Sequence, residues 1–145
     1  MKKATKIILK SGLAALVFTT ASVAFSATAN ADSCWNHNGS VMRLVAQGNQ
    51  RWFYYEEPKQ VLRRAGVRRG TLLFNGRKQG NFYSGTARRF SKYCPGEALE
   101  YYVEGPVRRD QLKVTVEGQR EVYNRCRSTG RKAWDSLAFT YMYKC

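Results

Sequence analysis

Between Ser40 and Tyr143 the chain is a succession of short β-prone runs joined by Gly, Asn and Pro, with connections too short for parallel crossovers. Antiparallel neighbours are the consequence. Ser40–Gln47 alternates with Met42, Leu44 and Ala46 on one face, and after Gly48-Asn49 comes the aromatic run Arg51–Glu57. Thr71–Phe74 and Asn81–Phe90 flank Asn75-Gly76 and Gly80, a hairpin signature. Ala98–Glu104 sets Leu99, Tyr101 and Val103 against Glu100, Tyr102 and Glu104. Gln111–Glu117 places Leu112, Val114 and Val116 inward, with Lys113, Thr115 and Glu117 toward water. Arg120–Cys126 and Trp134–Tyr143 follow, the latter with Leu137, Phe139 and Tyr141 on one face. Pro58–Gly70 breaks the rhythm and reads as one short helix after Pro58 or as a long loop. About eight strands, each with one apolar face, predict an all-β fold: a small antiparallel meander barrel or closed sandwich, in which closure removes exposed edges.

The first 31 residues read as a cleavable signal peptide. Met1–Lys10 is basic, Gly12–Phe25 is apolar or small, and Ala29-Asn30-Ala31 gives the small-x-small pattern cut before Asp32. The apolar stretch is shorter than the ~20 residues that span a bilayer, and no other segment could do so. Ala31-Asp32-Ser33 before Cys34 does not fit a lipoprotein signal. Residues 32–145 are then a single β-rich domain, periplasmic or secreted and monomeric. At 43% hydrophobic the chain is too apolar for a disordered basic tail, and its 145 residues are too few for a two-domain enzyme.

All four cysteines, Cys34, Cys94, Cys126 and Cys145, lie beyond the signal, at separations of 60, 32 and 19. A zinc site would show pairs a few residues apart, and His37 is the only histidine, so no metal or cofactor is expected. Two disulfides suit an oxidising compartment. Of three possible pairings, Cys126–Cys145 with Cys34–Cys94 is favoured because it closes the last hairpin, the others staying open.

The segments CWNHNGSVMRL (Cys34–Leu44), GTLLFNG (Gly70–Gly76) and GNFYSGTARRF (Gly80–Phe90), with the cysteine that follows, resemble a family of small exported alphaproteobacterial domains. That resemblance implies export and, the family having no established activity, hardly any function.

Machinery for catalysis is sparse. His37 sits among turn formers and reads as a surface-turn residue near the Cys34 disulfide; no serine occupies a G-x-S-x-G elbow. Glu56 and Glu57, adjacent in a strand, should point to opposite faces. YYEEP (Tyr54–Pro58) and YSGTARRF (Tyr83–Phe90) resemble parts of guanyl-specific ribonucleases, in which a glutamate takes the 2′-hydroxyl proton while arginine holds the phosphate. The histidine that this family places on a late strand is missing from Gly85–Phe90, and His37 lies on the wrong side of the glutamate. A non-enzymatic reading is therefore preferred.

Charge is the remaining signal. Four of the 25 bases leave with the signal, so 21 bases face 10 acids, a net charge of +11. Fifteen of the 21 are arginine, suited to bidentate phosphate and carboxylate contacts. Arg63, Arg64, Arg68 and Arg69 form the densest group, on the one segment that is not evidently strand, and are the candidate anion-binding residues. A solvated basic surface that merely keeps the protein soluble is the plain alternative. Trp35, Trp52, Trp134 and nine tyrosines either fill the small barrel or offer stacking faces, Tyr102 being the most suggestive. The expected function is an exported cationic binding module for an anionic polymer (lipopolysaccharide, acidic polysaccharide or nucleic acid). The alternative is a periplasmic protein-interaction or hydrolase-inhibitor domain with an acidic protein as partner.

Overall fold

The structure is a computed structural model in which residues 32–145 are described; the expected signal peptide lies outside them. Eight strands follow one another: β1 Ser33–His37, β2 Ser40–Gln47, β3 Gln50–Glu57, β4 Leu72–Gln79, β5 Phe82–Ser91, β6 Cys94–Pro106, β7 Lys113–Asn124 and β8 Arg127–Lys144. A single helical turn, α1 Gln60–Arg63, stands between β3 and β4, one of the two forms expected after Pro58. Each strand pairs antiparallel with the next and β8 returns to β1, closing a meander barrel.

Eight was the expected number, but the partition differs. Ser33–His37 is a strand that its polar, turn-flanked sequence concealed, and the runs Gln111–Glu117 and Arg120–Cys126 are parts of one strand, β7. Asn75-Gly76 is likewise no turn. It lies within β4, with Gly76 paired to Gly85 of β5, and the hairpin turns at Gly80-Asn81. A Cβ on Gly76 would stand 2.2 Å from the Ser84 carbonyl oxygen, and one on Gly85 equally close to that of Asn75. Glycine at both places lets the two backbones approach closely inside the sheet.

The meander gives the barrel two rims. The upper rim carries the Asn38-Gly39 turn, residues 58–71 with α1, and the tips at Lys92-Tyr93 and Arg125-Cys126. Asn38 and Gly39 have φ of 49° and 80°, the pair of positive values that a tight I′ hairpin turn demands. The lower rim carries the turns at 48–49 and 80–81, residues 107–112, and the first and last described residues, Asp32 and Cys145.

Alternation fills the interior. Met42, Phe53, Phe74, Val103, Val114, Val116 and Phe139 are fully buried, and each such side chain contributes roughly 1.5–3 kcal/mol. Trp35 meets Phe53 and Tyr141 edge-on, with centroids 5.8 and 5.6 Å away. Leu137 and Phe139 are buried as expected, and Lys113 and Glu117 face water. Leu112 is not inside: it is 42% exposed, because β7 starts one residue later and the Leu112 N–H caps on Asp110 Oδ1 at 2.9 Å.

The disulfides pair Cys34 with Cys145 and Cys94 with Cys126, not in the favoured pattern. Closure of the barrel decides this. It lays β1 beside β8, so that Cys34 lies opposite Tyr143 and near Cys145 on the lower rim. Cys94 and Cys126 start or border hairpin tips that both point to the upper rim, their Cα atoms 5.2 Å apart. Cys126 and Cys145 are at opposite ends of β8 and cannot meet. Two disulfides fit an oxidising environment. Among the described residues no helix is long and apolar enough to cross a membrane.

Candidate anion-binding rim and barrel mouth

The segment carrying the four arginines is docked rather than loose. The Lys59 N–H donates to Ser40 Oγ at 3.0 Å, the Gly70 N–H to the Tyr55 carbonyl at 2.7 Å, and the Arg68 N–H to Thr71 Oγ1 at 2.9 Å. Ala65 and Val67 are buried beneath it, and Leu62 packs on the core. With those side chains turned in, Arg63, Arg64, Arg68 and Arg69 are turned out, all exposed.

Three of the four come together. Arg63, Arg68 and Arg69 border one surface depression with Glu56, Glu57 and Pro58, whereas Arg64 borders a neighbouring one with Arg63, Gln60 and Val61. Glu56 and Glu57, expected on opposite faces, both reach this depression; a register shift between Val41 and Met42 leaves Glu56 outside the regular pairing of β2 with β3. Glu56 binds Arg69 and stands 3.4 Å from Arg43, whose guanidinium also holds Asp32 at 2.9 Å. Arg69 is thus largely neutralised. Arg63, Arg64 and Arg68 have no carboxylate partner among the described residues, and Arg68 is held over the loop by hydrogen bonds to the Arg63 and Val67 carbonyls.

Further bases join them from distant sequence. The Gly96 N–H donates to the Ala65 carbonyl at 3.2 Å, tying residues 58–71 to the start of β6. The Cys94–Cys126 bond then ties that start to the β7–β8 tip. Lys92, Arg125 and Arg127 therefore share the rim, beside Tyr93, which is 67% exposed and lies under the Lys92 ammonium at 4.9 Å. Sequence offers no signal for this association, because it runs through the disulfide pairing.

Within the same rim the barrel opens into a cavity of about 280 Å³. His37 lies here, 8% exposed, instead of in a surface turn; the Cys34 disulfide is at the other rim. Its ring stacks on Phe139 at 4.9 Å, and Nδ1 lies 3.0 Å from the Ala138 carbonyl. A proton on Nδ1 makes that contact a hydrogen bond and leaves Nε2 as an acceptor. Burial, helped by the Lys59 charge, lowers the His37 pKa against the opposing pull of the Ala138 carbonyl and Asp135. Burial pushes the Tyr55 phenol up to about 12.

Asp135 is the single carboxylate of the cavity. Its Oδ2 accepts from Tyr101 Oη at 2.8 Å and has Arg120 Nε at 3.3 Å and Arg89 Nη1 at 3.5 Å. Burial, and the hydrogen bond to Asp135, raise the Tyr101 pKa. Leu62, Leu73, Phe90 and Leu137 supply an apolar wall.

Glu56 and His37 do not share a site. The first borders the outer depression and the second the mouth, so the arrangement suggested by the ribonuclease likeness is not assembled. Trp35 is interior, while Tyr102 and Trp134 are exposed at 59% and 65%; the Tyr102 hydroxyl donates to Glu104 at 2.8 Å. No protein-family model, curated protein or solved structure matches the chain.

Proposed function

We propose that the protein is an exported, non-enzymatic binding module, periplasmic or secreted, whose upper rim holds an anionic envelope or extracellular polymer. The observation that carries this reading is the joining of residues 58–71, the β5–β6 tip and the β7–β8 tip by one hydrogen bond and one disulfide. Exposed charges act together only within a Debye length of ~8 Å at physiological salt, so bases on separate flexible loops would be screened from one another. Held on a common rim, Arg63, Arg64, Arg68, Arg125, Arg127 and Lys92 make a local positive field instead. Arginine forks suit phosphate and carboxylate groups along a chain.

The test is a titration of wild type and of a variant with Arg63, Arg64, Arg68 and Arg69 all replaced by Gln. Lipopolysaccharide, an acidic polysaccharide and single-stranded nucleic acid are each offered at two or more salt concentrations. Binding by wild type weakens steeply with salt, and the variant binds more weakly with a flatter slope. Such surface changes cost ~0.5 kcal/mol or less each, so the variant stays folded. Equal affinities and slopes for a folded variant would refute the reading in favour of a merely solvated basic surface.

A further inference from the structure

The cavity inside the upper rim is built from different residues than the rim field, and its chemistry is more selective. Its donors do not satisfy one another. Lys59 is exposed at the edge of the cavity and Tyr55, 4% exposed, turns its ring inward with no side-chain hydrogen bond among the described residues, while Arg120 Nε beside Asp135 is a buried nitrogen without a hydrogen-bond partner. Arg89 reaches Asp135 only at 3.5 Å, which leaves most of its fork free. His37 Nε2 and the oxygens of Asp135 add acceptors, and Leu62, Leu73, Phe90 and Leu137 add an apolar wall.

A concave site that sets a few polar groups against an apolar wall fits a small ligand that makes contacts to them. Arg120, 3.3 Å from Asp135, offsets that carboxylate, and Arg89 and Lys59 remain to meet a carboxylate on a ligand. A phosphate dianion would meet the Asp135 charge. Phenol, imidazole and carboxylate lining one cavity suit hydroxyl groups, and the apolar wall suits the C–H face of a ring. About 280 Å³ lies just below the ~300–1,000 Å³ common for small-molecule pockets and admits one ring rather than a nucleotide. We infer that the barrel mouth binds a single sugar acid, a hexuronate, with Arg89 and Lys59 on its carboxylate and Tyr55, His37 and Asp135 on its hydroxyls.

The source is either a free uronate or the chain end of an acidic polysaccharide, and only the second of these rests on the rim reading. The experiment is calorimetric titration of the folded, oxidised protein with D-galacturonate and D-glucuronate, with D-galactose, acetate and inorganic phosphate as controls. At least one uronate binds saturably at one per chain, and galactose and acetate bind about tenfold more weakly or worse. Tyr55→Phe and Arg89→Gln each lose about tenfold, whereas the four-fold rim variant binds the uronate as wild type does. Tyr55→Phe keeps the buried ring, so its loss is read in a folded protein, confirmed by an unchanged far-UV spectrum. An oligouronate that competes with the monomer identifies the polymer end as a source; failure to compete leaves the free acid. Absence of saturable uronate binding at concentrations on the order of 10 mM, tighter binding of phosphate, or equal affinity in Tyr55→Phe and Arg89→Gln would overturn the inference. The rim reading survives those outcomes if polymer binding still depends on the four arginines.

Discussion

Phe53 of β3 and Phe139 of β8 lie face to face across the barrel interior, with centroids 3.9 Å apart and planes within 5°. The two strands are not neighbours in the sheet, so the stack joins opposite walls. Phe139 also carries the stacked ring of His37, which lines the mouth.

Truncating either ring should therefore be costly. Phe139→Ala removes the stack and the support of His37 together, and a loss of roughly 3–5 kcal/mol is expected in a denaturant titration. Phe139→Leu should lose less, since it keeps most of the volume.

The two disulfides should differ in worth. The Cys34–Cys145 bond spans 111 residues and Cys94–Cys126 spans 32. Chain-entropy arguments give about 4.8 and 3.7 kcal/mol respectively. Replacing each pair by serine and comparing denaturation midpoints measures the difference. Only loss of the second pair should also weaken polymer binding, because that bond holds Arg125 and Arg127 on the rim. A peptide map of the unreduced protein checks the pairing.

Much of the barrel was legible because its interior is written in period two: Val114 and Val116, or Leu137 and Phe139, announce a wall with one apolar side. Three features were not. Gly76 and Gly118 look like punctuation in sequence but sit inside strands, where a Cβ would meet a neighbouring backbone. Cysteine pairing depends on which strand ends share a rim, which only closure decides. The mouth is assembled from residues as far apart as His37 and Asp135, and no spacing joins them. A weak signal was nevertheless present. His37 follows Trp35, Tyr55 follows Phe53, Tyr101 precedes Val103 and Asp135 precedes Leu137, each two positions away on the inward face. A polar residue one step beyond the last buried apolar one, in several strands at once, marks the opening of a barrel.

His37 makes stability depend on pH. Its folded pKa lies below the ordinary 6.5, so the unfolded chain takes up a proton more readily than the folded one. This contribution is complete above pH 6.5 and is lost as pH falls from there through the folded pKa. Denaturation midpoints measured between pH 7.5 and 5 should decline, and in His37→Gln the decline should be smaller.

Glu56→Gln separates binding from catalysis. The substitution releases Arg69 and Arg43 from their shared carboxylate, adding positive field beside the depression. Affinity for a polyanion should rise, and for nucleic acid the log–log salt slope should steepen by about one unit. A ribonuclease using Glu56 as base would instead lose RNA cleavage.

Gly66 has φ of +85°, and a Cβ there would stand 2.7 Å from the Gly96 nitrogen. Gly66→Ala should cost more than about 1 kcal/mol and lift residues 58–71 from β6. Polymer binding should fall in proportion, read at constant salt, with all of the arginines still in place.

The Cys34–Cys145 bond has a mechanical consequence. It makes the barrel a covalent ring fastened at the lower rim, on the side away from residues 58–71. Tension applied to the chain outside that pair passes through sulfur and leaves the hydrogen-bonded strands unloaded. In a single-molecule pulling experiment with handles attached just before Cys34 and just after Cys145, the oxidised domain should show no unfolding step, and reduction should restore one.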